Sequence, residues 1–377
     1  MSETQRFLMI SSDSKSLIKF RGDLLKDLKN QGFQVTVLCP KDGYFPTAQK
    51  ALNKLGILIE TVDLQNTSIN PLKDLRAFLN LYSRIKIVNP DIVYMYTIKP
   101  ILYGGLASWM LKVPKRYALF SGLGHVFTEN DLKTRLLRMA VSAMLRLILP
   151  TFKRVIFQNP DDCKTLVDLG LVKPAQVFLM AGSGVNLHDY SKTPLPEAPI
   201  PTFLFIGRLL KTKGILDYLD AIQMLRAQGS TTRFSVLGGG HSNPAALDQG
   251  ALLKRMVELN VDYLGEQSSA LDEIQRHHVI VLPSYREGTP RALLEALAVG
   301  RVILTTDVPG CREVVIHGEN GLMVPPKDPQ ALAAQMQYLI NNPSLLADMA
   351  EKSYQLALDK FDVRKVNADL IAMIQES

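Results

Sequence analysis

At 377 residues, 47% of them apolar and none in a low-complexity tract, the chain has the size and composition of two folded domains rather than a disordered or fibrous polypeptide. Its net charge of +7 is uneven, because residues 1–190 carry 25 Lys and Arg against 15 Asp and Glu while residues 191–377 carry 18 against 21. The basic first half implies an anionic partner, a lipid surface or phosphorylated acceptor ahead of nucleic acid, for which no binding motif is present.

Residues 7–10 form an apolar run too short for a signal peptide and better read as the start of a strand, and no later stretch has the apolar length of a membrane span. Cys39, Cys163 and Cys311 are too scattered for a disulfide framework or a zinc site, a pattern of reducing, cytosolic surroundings. Strands are predicted at 7–11, 34–39, 57–62, 91–96, 116–120, 155–158 and 177–180, alternating with helical patterns as in a parallel sheet wrapped by helices. Pro194, Pro196, Pro199 and Pro201 then mark a linker. The pattern restarts with strands at 202–206, 233–237, 261–264, 279–282, 302–305 and 321–324, and residues 343–374 read as helical with a break near Phe361 and Asp362. The expected fold class is therefore α/β, with two facing doubly wound, Rossmann-like domains and a cleft between them. The expected domains are 1–190, 191–355 and a C-terminal helix, 356–377, crossing back to the first.

Open α/β sheets hold ligands beyond the carboxyl ends of their strands. The loops there include Ser11–Ser14, Gly122–His125, Gly207–Gly214 and Gly238–Gly240. In Gly207–Gly214, Arg208 offers a planar fork and Lys213 a point charge, a pair suited to a departing diphosphate, although the same residues also make an ordinary solvated basic loop. Gly238 and Gly239 allow a base or phosphate close to the backbone, or simply a tight turn, and Gly265 is a candidate for lining a base pocket. His125 sits in the glycine-flanked run Ser121-Gly-Leu-Gly-His-Val-Phe127, either as a hydrogen-bond donor to a sugar or as a structural residue. That run lacks the third glycine of a dinucleotide fingerprint and the first loop has none, which argues against nicotinamide chemistry. With no Asp-x-Asp or His/Cys spacing, no metal is expected, and the two cations would take its place.

The most informative segment is Arg286-Glu-Gly-Thr-Pro-Arg-Ala-Leu-Leu-Glu-Ala296. Thr289 is the expected helix cap and Pro290 suits the first turn, so the positive helix end would face an anion. Glu287 then precedes the helix and Glu295 lies within it, one carboxylate for a sugar hydroxyl and the other for a ribose; alternatively they are a turn residue and a solvated helix residue. Residues 133–154 form a second notable helix. Arg135, Arg138, Ser142 and Arg146 fall on one stripe, with Leu136, Met139, Ala140, Ala143, Met144, Leu147 and Ile148 over the other faces. It reads either as a core helix with a solvated stripe or as one lying in a lipid interface, with Tyr103, Trp109, Lys112, Lys115 and Arg116 as nearby anchors.

Residues Val279-Ile-Val-Leu-Pro-Ser284, Glu287 to Glu295, Thr306-Asp-Val-Pro-Gly-Cys-Arg-Glu313 and Gly318-Glu-Asn-Gly321 together resemble glycosyltransferase family 4, a retaining family of GT-B fold. The resemblance implies Glu287 at the donor-sugar hydroxyls, Gly288 and Thr289 near sugar or phosphate, Glu295 at the ribose with Leu294 beside it, Arg208 and Lys213 at the diphosphate, and His125 by the reacting sugar. Tyr96-Thr-Ile-Lys-Pro100-Ile-Leu-Tyr-Gly104 and Gly122-Leu-Gly-His-Val-Phe127 look most like bacterial α-N-acetylgalactosaminyltransferases that extend polyprenyl-diphosphate-linked oligosaccharides. Many members have glycine in the first loop; Ser11-Ser-Asp-Ser-Lys15 does not. The implied activity is transfer of a hexose or N-acetylhexosamine from a UDP-sugar to a lipid-diphosphate-linked saccharide at the inner membrane face. A UDP-sugar epimerase of the same layout and a non-catalytic nucleotide-sugar-binding protein are the alternatives.

Overall fold

The central strands are near-continuous apolar runs rather than alternating ones, because each sheet is covered on both faces. Phe7 to Ile10, Phe203 to Phe205 and Val279 to Val281 are all fully buried. The computed structural model describes residues 4–64, 71–128, 131–240 and 247–376. They divide into two units, Met1–Ser183 with Val366–Ser377, and Gly184–Lys365.

Unit 1 runs β1 (Arg6–Ile10), α1 (Ser14–Asn30), β2 (Gln34–Cys39), α2 (Phe45–Lys54), β3 (Leu58–Thr61), α3 (Pro71–Val88), β4 (Ile92–Tyr96), α4 (Gly105–Met110), β5 (Lys115–Phe120), α5 (Gly124–Thr128), α6 (Leu132–Ile148), β6 (Arg154–Phe157), α7 (Pro160–Asp168) and β7 (Val177–Leu179). Its strands are parallel in the order β3-β2-β1-β4-β5-β6-β7, reversing direction of growth between β1 and β4. Unit 2 runs β8 (Phe203–Ile206), α8 (Ile215–Ala227), β9 (Phe234–Leu237), α9 (Gln249–Glu258), β10 (Val261–Tyr263), α10 (Leu271–Gln275), β11 (Val279–Leu282), α11 (Arg291–Val299), β12 (Val302–Thr306), β13 (Gly321–Val324), α12 (Pro329–Asn341) and α13 (Leu346–Leu356). Its parallel order, β10-β9-β8-β11-β12-β13, is the Rossmann order, with the switch between β8 and β11. Every strand expected from the sequence is present, with ends within one residue.

A π-helical turn, Ala357–Phe361, follows α13 and ends at Asp362, whose ψ of 120° leaves the helical region; α14 (Val363–Glu376) then begins. Its Val366, Leu370, Ile371, Met373 and Ile374 are buried in unit 1 beside Phe7, Tyr94 and the inner faces of α1 and α2. Asn367 bonds Asp27 (2.7 Å), and the Ile374 carbonyl accepts from Lys115 Nζ (3.2 Å) and Tyr117 Oη (3.3 Å). The opposite face of this sheet is covered by α3, α4 and α6, through Ala77, Leu81, Ile85, Ala107, Val141, Leu145 and Ile148. On α6 this separates residues that the sequence left mixed: Ile148 is buried, whereas Leu132, Leu136, Met139 and Leu147 are exposed.

Unit 2 is cross-tied by Arg301, which is fully buried after the turn at Gly300. Its guanidinium donates to the carbonyls of Ile274 (3.1 Å), Gln275 (3.0 Å), Thr193 (2.9 Å), Pro194 (2.9 Å), Val299 (3.0 Å) and Gly300 (3.0 Å), joining the linker to the ends of α10 and α11. Nearby, His277 bridges the Glu273 carbonyl (2.7 Å) and Ser235 Oγ (2.9 Å), while His278 Nδ1 accepts from the Thr202 amide (3.2 Å). Burial, the dominant influence, holds both imidazoles below their ordinary pKa of 6.5, against the raising effect of a backbone hydrogen bond to Glu273 on His277 and to Pro196 on His278; the Arg233 charge lowers the first and the Arg301 charge the second by less. A depressed folded-state pKa means that the unfolded chain takes up protons first on acidification, so this stability is complete above pH 6.5 and lost below it. The melting temperature is expected to fall between pH 7 and pH 5, by less in His277→Gln than in the parent; equal slopes in a thermal-melt series would contradict this.

Candidate functional site

At the carboxyl end of the unit 2 sheet, four loops are strapped together by glycine-dependent contacts. The Gly238 amide donates to the Gly265 carbonyl (2.8 Å), the Leu209 amide to the Gly239 carbonyl (3.0 Å), and the Tyr285 amide to the Thr212 carbonyl (2.9 Å). Gly214, at φ +74°, passes so close to β11 that a Cβ would stand 2.0 Å from the Pro283 carbonyl oxygen. Only glycine fits there without moving one strand exit off another. Thr305 and Thr306 bond the carbonyls of Leu282 and Ser284, fixing the path into the Glu287 loop from the β12 side.

Within this frame Lys213 and Glu287, seventy-four residues apart, form an ion pair with side chains only 19% and 11% exposed. Ser284 Oγ donates to the same carboxylate oxygen (2.7 Å), an interaction that the sequence did not suggest. A carboxylate has about four acceptor positions and an ammonium three donors, so the pair keeps capacity for hydroxyl donors on one side and anionic acceptors on the other. Gly310 closes the back of the loop: at φ +80° its Cβ position lies 2.1 Å from the Gly288 carbonyl oxygen and 2.6 Å from that of Glu287. Cys311 beside it is fully buried, and burial followed by the Glu287 charge pushes its thiol pKa up to about 12. A protonated thiol is no nucleophile at neutral pH.

The expected cap at Thr289 is corrected. Helix α11 starts at Arg291 with Pro290 in the cap position, φ −71° and ψ 118°, and no side chain caps it. Proline fits either as cap or as first helical residue, and its extended ψ sets the start one residue later. Thr289 and Gly288 lie in the loop before it. Glu295 is inside the helix, paired with Arg291 one turn back (3.0 Å), and Leu294 beside it is fully buried. Tyr190 shares Glu295, its phenol pushed upward by burial and then by that carboxylate. The i, i+4 spacing was the available sign of the Arg291 pair. Arg208, after Gly207 at the end of β8, is exposed. His125 belongs to unit 1, in α5 after β5.

Among the described residues, no group of three or more His, Cys, Asp or Glu is placed to hold a metal, and no helix is long and apolar enough to cross a membrane.

Residues 8–159 match the family model for glycosyl transferase 4-like domains, and residues 200–342 that for glycosyl transferases group 1. The chain belongs to these family 4-like glycosyltransferases. This glycosyltransferase is 29% identical over 365 residues, 94% of each chain, to the N,N'-diacetylbacillosaminyl-diphospho-undecaprenol alpha-1,3-N-acetylgalactosaminyltransferase of Campylobacter jejuni. It is 22% identical over 382 residues to the capsular polysaccharide biosynthesis glycosyltransferase CapM of Staphylococcus aureus, covering 98% of this chain and 97% of that one. The crystal structure of Anabaena HepE in complex with UDP and glucose matches with a TM-score of 0.79 at 18% identity, over 99% of this chain and 100% of the other, which establishes the GT-B fold. In the glycosyltransferase the two glutamates of the Glu287–Glu295 segment thus differ in surroundings, one held by an ammonium and a hydroxyl, the other by a guanidinium and a phenol.

Proposed function

We propose that this glycosyltransferase moves a hexose or N-acetylhexosamine, GalNAc or GlcNAc first among them, from a UDP-sugar to a polyprenyl-diphosphate-linked saccharide in bacterial glycan assembly. The observation that carries the reading is the Glu287–Lys213–Ser284 group beside an uncapped helix start on a Rossmann sheet. The named activity of the Campylobacter relative supports the acceptor class, and UDP in the Anabaena complex supports the donor class.

In this reading unit 2 holds the donor. Glu287 accepts from sugar hydroxyls, the first-turn amides of α11 and the cations Arg208 and Lys213 face the diphosphate, Gly238, Gly239 and Gly265 admit the base, and Glu295 meets the ribose. Arg208 and Lys213 stabilise the charge that grows on the leaving phosphate. The anomeric C–O bond to UDP breaks as the acceptor oxygen bonds on the same face, and the acceptor proton passes to the departing phosphate. His125, in unit 1, serves the acceptor side, and activity is expected to persist in EDTA. Gly310→Ala should displace the Glu287 loop and weaken UDP binding about tenfold by calorimetry, since strain of this kind costs ~1–3 kcal/mol; unchanged affinity would show that the loop does not hold the donor.

Membrane contact is assigned to the outer surface of α3, α4 and α6, where α4 touches both neighbours. Leu72 (79% exposed), Leu79 (57%), Trp109 (40%), Leu132 (74%) and Met139 (69%) stand on that layer. Arg135 and Arg146 border the α6 stripe, so the surface combines apolar area with charge attractive to anionic lipid on the inner face of the membrane. Mass spectrometry of products from a UDP-sugar panel with lipid-linked acceptors tests the whole reading. Turnover of UDP-GlcNAc without acceptor would instead indicate an epimerase, and no turnover with any acceptor by folded protein would refute transfer.

A further inference from the structure

In unit 1, the exits of β2, β3 and β4 and the first turn of α3 enclose a cavity of about 460 Å³ lined by Lys41, Lys73, Arg76 and Lys99 and by the carboxylates Asp63 and Asp74. Asp74 is engaged by Lys99 Nζ (3.0 Å, both side chains 18% exposed) and by the Tyr103 hydroxyl. The formal excess is two positive charges, the match for a diphosphate diester, and the volume lies in the range of small-ligand sites.

Two further observations point to this place. The turn bearing Lys99 is strained: Thr97, a β-branched residue, has φ +68°, and its buried hydroxyl has no hydrogen-bond partner. Meanwhile the start of α1, where a phosphate could approach backbone amides, is already filled. Asp42 accepts from the Ser14 amide (2.8 Å) and from Ser14 Oγ, and Asp13 accepts from the Ser16 amide (2.6 Å). Two carboxylates there repel an anion, whereas the neighbouring cavity attracts one. The helix that supplies Lys73 and Arg76 also exposes Leu72, Leu75 and Leu79 along one stripe, so an apolar surface adjoins the cationic one.

We propose that this cavity binds the diphosphate of an isoprenoid-linked acceptor, with the α3 leucines against the apolar chain. The inference rests on the acceptor class proposed above and adds a site for its charged group. The test is titration calorimetry of the full chain with farnesyl diphosphate, farnesol, inorganic pyrophosphate and anionic vesicles lacking any diphosphate. Farnesyl diphosphate is expected to bind, pyrophosphate more weakly, and farnesol not measurably. Lys73→Gln/Arg76→Gln should weaken farnesyl diphosphate binding about tenfold or more, the scale of lost charge-assisted bonds, with Lys73→Arg/Arg76→Lys largely restoring it. Leu75→Ser/Leu79→Ser should weaken farnesyl diphosphate but not pyrophosphate. Equal binding of farnesyl diphosphate by parent and Gln variant, with UDP binding and melting temperature as folding controls, would overturn the site. Binding to diphosphate-free vesicles alone would overturn it in favour of a lipid-surface role. If UDP binding and sugar transfer both fail in the parent, the proposed function falls, a result separable from the farnesyl diphosphate titration.

Discussion

Glu287→Ala is expected to lower kcat/KM for sugar transfer by about 10²–10³-fold, the scale of losing one well-placed polar partner of the transition state. The carboxylate joins the Lys213 ammonium to the Ser284 hydroxyl, and both lose their acceptor when it is removed. Lys213, 19% exposed, would then sit part-buried without its carboxylate, so a stability loss of ~1–3 kcal/mol accompanies the kinetic one. Glu287→Gln keeps the shape and an acceptor for Ser284 but not the ion pair, and should fall between parent and alanine variant. In a double-mutant cycle with Lys213→Met the two losses should be well short of additive, because each variant already breaks the same pair. Steady-state kinetics with a lipid-linked acceptor would read these effects; a Glu287→Ala enzyme within threefold of the parent would remove the residue from the donor site.

Arg301→Leu is expected to be the most destabilising single change in unit 2, costing ~3–5 kcal/mol and about 10 °C in melting temperature. The substitution preserves apolar volume but leaves the carbonyls of Thr193, Pro194, Ile274 and Gln275 without their donor, and burial has already lowered the guanidinium pKa to about 10. Arg301→Lys supplies charge without the planar fork and should recover only part of the loss. Calorimetric melting would settle the matter, a shift below 2 °C being incompatible with a tie of this kind.

The strands were legible because parallel sheets covered on both faces require apolar runs with polar or glycine-rich exits, and both features are local in sequence. The helix after Glu287 was legible from Pro290 and the apolar run that follows it, although it starts at Arg291 and Thr289 is not its cap. The ion pair with Lys213 was not, since it depends on β8 and β11 being neighbours despite the intervening β9 and β10. Arg301 looked like any residue after a helix-ending glycine; its partners are backbone carbonyls, which every sequence contains and none advertises. On α6 the spacing gave the stripe of arginines but not which apolar side met the sheet, a matter decided by α4 and the strands beneath.

Because α14 completes the core of unit 1 only after the whole of unit 2 has intervened in the chain, a ribosome releases the finishing piece of the first unit after all of the second. Until then the side of the sheet bearing Phe7 and Tyr94 has α1 and α2 but lacks the part of its cover that α14 supplies, so the nascent unit must wait, partly unsheltered, while its successor already has nearly everything it needs to fold.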